Sequence, residues 1–312
     1  MRAKPSLTDL VAEELALSVD PRVSDMAAAI AAEYGAAARA VLFYGSCLRS
    51  RELDGQMLDF YLIVSSYTRA YRARWLATAN RLIPPNVFPF EHHGLAAKYA
   101  VLSEDDFLQL NGPKSLSVSV WARFAQPARL VWQADAKAAE LCVAAVSRAA
   151  PTLLDAARPM IAGDRLDDPL QLWREAFGLT YRAELRAERG SRAASVVDAD
   201  PDRYRRFAGP ALDTSAAGRL LADGTLALAP ASDRQRARAS ALWARRRRAG
   251  KALTVIRLAK ASATFAGGID YLAWKVNRHA ATAIELRPWQ RRWPLLGALT
   301  LLPRLLKRGA VR

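Results

Sequence analysis

Cysteine is nearly missing from this chain: Cys47 and Cys142 are two in 312 residues. Their separation matches no metal-binding spacing. They read as free thiols of a reducing compartment, with a single disulfide as the alternative. Histidine is almost as scarce, with three residues. His92 and His93 are adjacent, and no HxxxH or related spacing occurs, so the pair reads as loop residues and not as ligands. Long apolar runs are absent too. Leu295 to Leu302 is too short to span a bilayer and Pro303 interrupts it. The first residues, MRAKPSLTDLVAEEL, lack an apolar signal core, so secretion is not expected. No internal repeat is visible. Acidic residues are scarce in one place: Arg245 to Arg312 holds sixteen Lys/Arg against two acids, while the other 244 residues hold 30 bases and 28 acids.

The net charge of +16 therefore belongs to the C-terminal fifth. Such a block suits phospholipid headgroups or nucleic-acid phosphates. Trp243 precedes it, and Trp274, Trp289 and Trp293 lie within it. Tryptophan and arginine around short apolar runs favour a membrane interface over a nucleic-acid groove. The expectation is a peripheral protein on an anionic membrane surface, at the cytoplasmic face of an inner membrane, with no nucleic-acid partner. The plainer alternative is a solvated basic face with its tryptophans in the core. An apolar content of 52% excludes general disorder.

Periodicity predicts helix over residues 7–39, then a strand at Val41 to Tyr44 and another at Phe60 to Val64. A helix over Thr68 to Leu82 should stop at Pro84–Pro85. Val87 to Glu91 and Lys98 to Leu102 read as a hairpin, Ser103 as the N-cap of the next helix, and Ala128 to Trp132 as a last strand. Helices fill most of the stretch from Lys137 to about Ala187. Pro210 to Ser232 reads as a connector, followed by helices near Arg234 to Arg248 and Leu253 to Ala263. The sum is a mixed sheet with helices, an α/β or α+β arrangement.

The candidate chemistry centres on Gly45–Ser46 and, fourteen positions after Gly45, Asp59. A glycine turn lets phosphate oxygens approach backbone N–H groups, and the serine hydroxyl adds a donor. An acid inside MLDFYLIV is costly to bury unless it is paired or metal-bound. Strand alternation puts Asp59 on one face with Tyr61, and Leu58 and Phe60 on the other. Arg123 and Arg129 flank Gln126–Pro127, and the guanidinium fork suits phosphate oxygens. Asp54, in an Asp-Gly turn, and Glu91, at a strand end, are candidates for a further metal ligand beside Asp59. Tyr181 and Arg182 are candidates for a cleft floor or for ordinary helical core.

The pattern hydrophobic–Gly–Ser, a gap of about a dozen residues, then Asp–hydrophobic is similar to the nucleotidyltransferase superfamily that includes DNA polymerase β. That superfamily usually carries a second acid two residues on, where this chain has Tyr61. The mitochondrial-type CDP-diacylglycerol synthases, the translocator assembly and maintenance family with bacterial relatives, also lack it. This chain resembles them at several points in order. Their YGSG turn is similar to Tyr44–Gly45–Ser46, with Cys47 replacing the last glycine, and their MxDFxF strand to Met57 to Tyr61. Their LIKYGVIS resembles AAKYAVLS (Ala96 to Ser103), and GRLQKPVKII resembles ARFAQPARLV (Ala122 to Val131). Their IAGLSYxGDFR resembles REAFGLTYRAELR (Arg174 to Arg186).

The resemblance implies an α+β, polymerase β-like nucleotidyltransferase domain over residues 1–135. A helical, winged-helix-like domain over 136–209 would close the cleft, and a connector and basic membrane-associating region would occupy 210–312. It implies Mg²⁺-dependent transfer of a cytidylyl group from CTP to phosphatidate or another lipid phosphate. Asp59 would hold Mg²⁺, with Glu91 or Asp54 as further ligands. Tyr44, Gly45, Ser46 and Arg129 would hold the nucleotide. Lys98 and Arg123 would offset phosphate charge. Two other readings stay open: transfer to RNA or another acceptor, and a non-catalytic membrane-associated protein on the same fold.

Overall fold

The computed structural model describes residues 4–184, 196–264 and 287–288. Two helices open the chain, α1 (Leu7–Leu15) and α2 (Pro21–Ala32). Ser6 and Asp9 form a reciprocal cap on α1; Asp20 caps α2, with Pro21 in the first turn where an N–H has no helical partner. The helical stretch expected over 7–39 is thus interrupted after Ala16 and ends before Ala38, where the first strand begins.

The strands β1 (Ala38–Tyr44), β2 (Met57–Val64), β3 (Asn86–His92), β4 (Leu95–Ser103) and β5 (Ala128–Gln133) form one mixed sheet in the order β3-β4-β2-β1-β5. β2 and β4 run parallel; the other neighbours are antiparallel. The fold is α+β. Alternation sorts the apolar residues cleanly. Leu42, Tyr61, Ile63, Ala100 and Leu102 enter one core, and Val41, Phe43, Leu58, Phe60, Leu62 and Val101 enter another on the opposite face. Helix α2 covers the second core, joined there by α4 (Tyr67–Ala70) and α5 (Arg74–Leu82). The expected single helix over 68–82 splits because Tyr71 is extended (φ −118°, ψ 128°) and its ring packs against Tyr34, Tyr67 and Phe88.

The first core is the larger. Beyond α1 it takes in α6 (Glu104–Leu110, capped by Ser103), α7 (Ser119–Phe124), α8 (Ala136–Ser147), α9 (Ala149–Ala157), α10 (Pro169–Ala183) and α11 (Pro201–Asp213). A short helix, α3 (Ser46–Ser50), follows β1. The stretch expected as a connector is structured. It carries the end of α11 and two strands, β7 (Gly218–Leu220) and β8 (Leu226–Leu228), which with β6 (Arg165–Leu166) form a small sheet. Leu226 and Leu228 enter the first core, and the Arg158 guanidinium donates to the Ala229, Ile161 and Gly163 carbonyls.

A single helix, α12 (Asp233–Thr264), replaces the two expected around a break near Gly250. The glycine serves contact, not termination: a Cβ there would lie 2.0 Å from the Ala183 carbonyl oxygen, so only glycine lets α12 lie on the end of α10. Trp243 is 1% exposed and donates to Ala156 O at 2.9 Å, so it is core and not an interface anchor. Arg246 is sandwiched against Trp121 and Trp243, 5.4 and 4.9 Å from the ring centres. Trp274, Trp289, Trp293 and Leu295 to Leu302 lie outside the described residues. Among the described residues no helix is long and apolar enough to cross a membrane.

Candidate functional site

Strand register builds the site. Pro89, Lys98, Asp59, Tyr44 and Ala128 form one row across all five strands, at the end of the face that holds the first core. The next row inward contains Val87, Ala100, Tyr61, Leu42 and Leu130. Tyr61 therefore stands behind Asp59, 2% exposed, with its ring 5.2 Å from both Tyr44 and Phe124. Where the nucleotidyltransferase superfamily usually carries its second acid, there is core.

β1 ends at Tyr44, and the chain turns through Gly45 at φ 97°, ψ −158°. A Cβ on Gly45 would meet Asp59 Oδ2 at 3.0 Å and Asp59 Cβ at 3.3 Å. Only glycine lets this backbone lie against the carboxylate, and its positive φ suits no other residue well. The other carboxylate oxygen, Oδ1, is 3.1 Å from Lys98 Nζ. The two side chains are 18% and 31% exposed, so the pair is reachable from solvent. Ser46 is exposed beside it, and Cys47 is buried below. Burial pushes the Tyr44 phenol and the Cys47 thiol up, and the Asp59 charge adds to both.

Arg123 reaches this corner from α7. Burial opposes its charge, yet Tyr61, Glu184, Tyr44 and Asp59 together hold its pKa above the ordinary value. Its Nη1 donates to Ser119 O and lies 3.8 Å from Glu184 Oε1 at the end of α10. Ser119 Oγ donates to that same Glu184 oxygen. From α12, Arg257 donates to Ser119 Oγ at 2.9 Å and to Pro84 O at 3.0 and 2.6 Å. Burial lowers its pKa, and the Arg123 charge adds to that. Lys260, one turn on, donates to Ile83 O; burial, then Arg257, brings it down to about 8. Lys98, Arg123 and Arg257 thus face a region with Asp59 and Glu184 as its acids, an arrangement that fits a polyanion.

Asp59, Lys98, Arg123, Tyr44, Gly45 and Ser46 are brought together. Asp54 and Glu91 are not. Asp54 pairs with Arg22 of α2 at 2.9 Å, toward the helix that covers the other face. Glu91 is exposed on β3, with β4 between it and β2. Arg129 sits in a different neighbourhood on the edge strand: it donates to Ala128 O at 2.8 Å, burial lowers its pKa, and its nearest charges include Glu14 and Arg203. Arg182 is exposed, and Tyr181 packs against the first core. His92 and His93 meet Asp25 of α2.

Two residues escaped the sequence reading. Glu184 stood in a segment already singled out, REAFGLTYRAELR, and its acid was the available signal. Arg257 lies past the four-arginine run at 245–248 and had no signal, because only the docking of α12 aims it inward.

Neither a scan against protein-family models nor a search of curated proteins finds a match to this chain.

Proposed function

We propose that this protein is a nucleotidyltransferase that moves a cytidylyl group from CTP to a lipid phosphate, phosphatidate above all, at a membrane surface. The observation that carries the reading is the Gly45 backbone lying against Asp59 Oδ2 while Lys98 holds Oδ1. Such a turn beside a carboxylate is what a triphosphate and its counter-ion need. The likeness of the surrounding segments to the mitochondrial-type CDP-diacylglycerol synthases supplies the choice of CTP and phosphatidate.

The donor set fits Mg²⁺ on one condition. Mg²⁺ binds through one or two carboxylates and takes its other ligands from substrate phosphates and water. Asp59 supplies that carboxylate; Asp54 and Glu91 are turned elsewhere, and Glu184 is engaged by Ser119 and Arg123. Bound with the triphosphate, the ion would neutralise charge on its oxygens. The remaining work falls to the chain. Gly45 and Ser46 cradle the triphosphate, Lys98 exchanges its contact with Asp59 for a phosphate oxygen, and Arg123 and Arg257 offset charge from the far side. An acceptor phosphate oxygen attacks the α-phosphorus, the α–β P–O bond breaks, and pyrophosphate leaves. A phosphate monoester is already largely ionised near neutral pH, so no dedicated base is required.

The test is pyrophosphate release from each NTP with Mg²⁺, with and without phosphatidate vesicles, for the parent protein and Asp59→Asn. Release that needs both CTP and phosphatidate, and that Asp59→Asn abolishes, is the expected result. Stimulation by single-stranded RNA in place of phosphatidate would transfer the proposal to another acceptor. No release from any NTP, or a fully active Asp59→Asn, would sink it.

A further inference from the structure

The second notable cluster lies away from the Asp59 corner. β3 and β4 are joined by the two residues His93 and Gly94, with His92 paired to Leu95. Both connecting residues have positive φ, 46° and 79°, as the tightest hairpin turn requires. Asparagine is the ordinary side chain for the first of these positions. Histidine in the left-handed region is uncommon and carries some strain. Here it turns the His93 ring back over His92, with ring centres 4.1 Å apart. His92 shares its face with Phe90, on the side covered by α2, and Asp25 of α2 comes to meet both rings. Asp25 Oδ2 lies 3.0 Å from His92 Nε2 and 3.6 Å from His93 Nε2, and one donor atom from each residue falls within a mutual 4.8 Å.

We propose that Asp25, His92 and His93 form a binding site for a divalent ion of the zinc class. For bonds of about 2.0–2.1 Å in tetrahedral array, neighbouring donors stand roughly 3.3 Å apart. The separations of Asp25 Oδ2 from the two ring nitrogens, 3.0 and 3.6 Å, bracket that edge. Two imidazole nitrogens and a carboxylate oxygen are a donor set suited to zinc and its late first-row neighbours, and poorly suited to magnesium or calcium. The donors come from regular elements, α2 and the tip of a sheet hairpin, so little chain needs ordering to bind the ion. His93 is 75% and Asp25 58% exposed, which leaves a solvent side for a water as fourth ligand. Bound there, the ion ties α2 to the β3–β4 hairpin. Its place on the opposite face of the sheet makes it independent of Asp59 and of the function proposed above.

The experiment uses the full chain without an affinity tag, stripped of metal with a chelator and titrated with Zn²⁺ by calorimetry, with bound zinc counted after dialysis. One zinc per chain is expected, with a raised unfolding temperature in its presence. Asp25→Asn, His92→Ala and His93→Asn should each weaken binding more than ~10-fold, since even loss of a group that only orients a ligand costs that much. His93→Asn is the decisive variant. Asparagine favours the left-handed turn, so the zinc-free protein should melt no lower than the parent while zinc binding falls. Asp59→Asn should bind zinc like the parent. No stoichiometric zinc, undiminished affinity in His93→Asn, or loss confined to Asp59→Asn would each overturn the proposal.

Discussion

Glu14–Arg203 and Asp59–Lys98 are the same chemistry in opposite surroundings. Glu14 and Arg203 are 8% and 6% exposed, and they bond twice, through Nε and Nη2. Arg203 also donates to Ala125 O at 3.2 Å and stacks 4.3 Å from the Phe207 ring centre and 5.0 Å from that of Tyr204. The pair fastens α1 to α11 and is walled in on every side by the first core. Asp59 and Lys98 meet at 3.1 Å at the open end of the sheet, with a glycine backbone in place of a side chain on the other oxygen. Burial and multiple bonds make the first pair a fastening. Partial exposure and a bare backbone set the second pair apart, and the function proposed above needs it to be exchangeable.

That contrast breaks at its structural end first. Glu14→Ala leaves a buried guanidinium without its acid and should cost about 3–5 kcal/mol in urea unfolding. Asp59→Asn should cost no more than about 1 kcal/mol, because this pair is partly open to solvent. Similar losses for the two would erase the distinction. A middle-sized effect is expected at Gly45→Ala. The positive φ alone costs about 1–3 kcal/mol in a residue with a side chain, and the new Cβ pushes Asp59 out of line. Nucleotide-dependent melting shifts should vanish in this variant well before the fold does; a retained shift would show that the close approach is incidental.

The smallest effect sharpens the comparison with a cation whose bond is to a carbonyl. Lys260 donates to Ile83 O, and burial, helped by Arg257, depresses it from 10.5 to about 8. Between those values the unfolded chain binds more protons than the folded one, so stability rises with pH there. The cost of the buried ammonium is fully present below pH 8 and is relieved toward pH 10.5. Lys260→Met should therefore melt above the parent at pH 7, with the gap closing as pH climbs past 8. A gap that stays constant from pH 7 to 10 would count against the buried ammonium.

Much of the sheet was legible because local chemistry specified it. A continuous apolar, β-rich run marked β2, Pro84–Pro85 stopped α5, and Ser103 capped α6, while the hairpin expected between Glu91 and Lys98 closes through the tighter His93–Gly94 turn. What was missed had no local signature. β6 to β8 are two or three residues long, too short for periodicity to register. The helices read at Arg234 to Arg248 and Leu253 to Ala263 are one, and the glycine between them, Gly250, is there for the Ala183 carbonyl of another helix. Trp243 looked like an interface anchor because its neighbours in sequence are basic, although its neighbours in space are Trp121 and Ala156.

The sequence was enough to place Gly45 and Asp59 at the ends of adjoining strands and to put Asp59 and Tyr61 on one face, because those follow from turn chemistry and a period of two. Register and docking decided the rest. Pairing set Lys98 level with Asp59, packing made Tyr61 core, α2 drew Asp54 and the histidine turn to the opposite face, and the long basic helix swung Arg257 toward Arg123. These depend on contacts between residues far apart in the chain, whose energies no local pattern records.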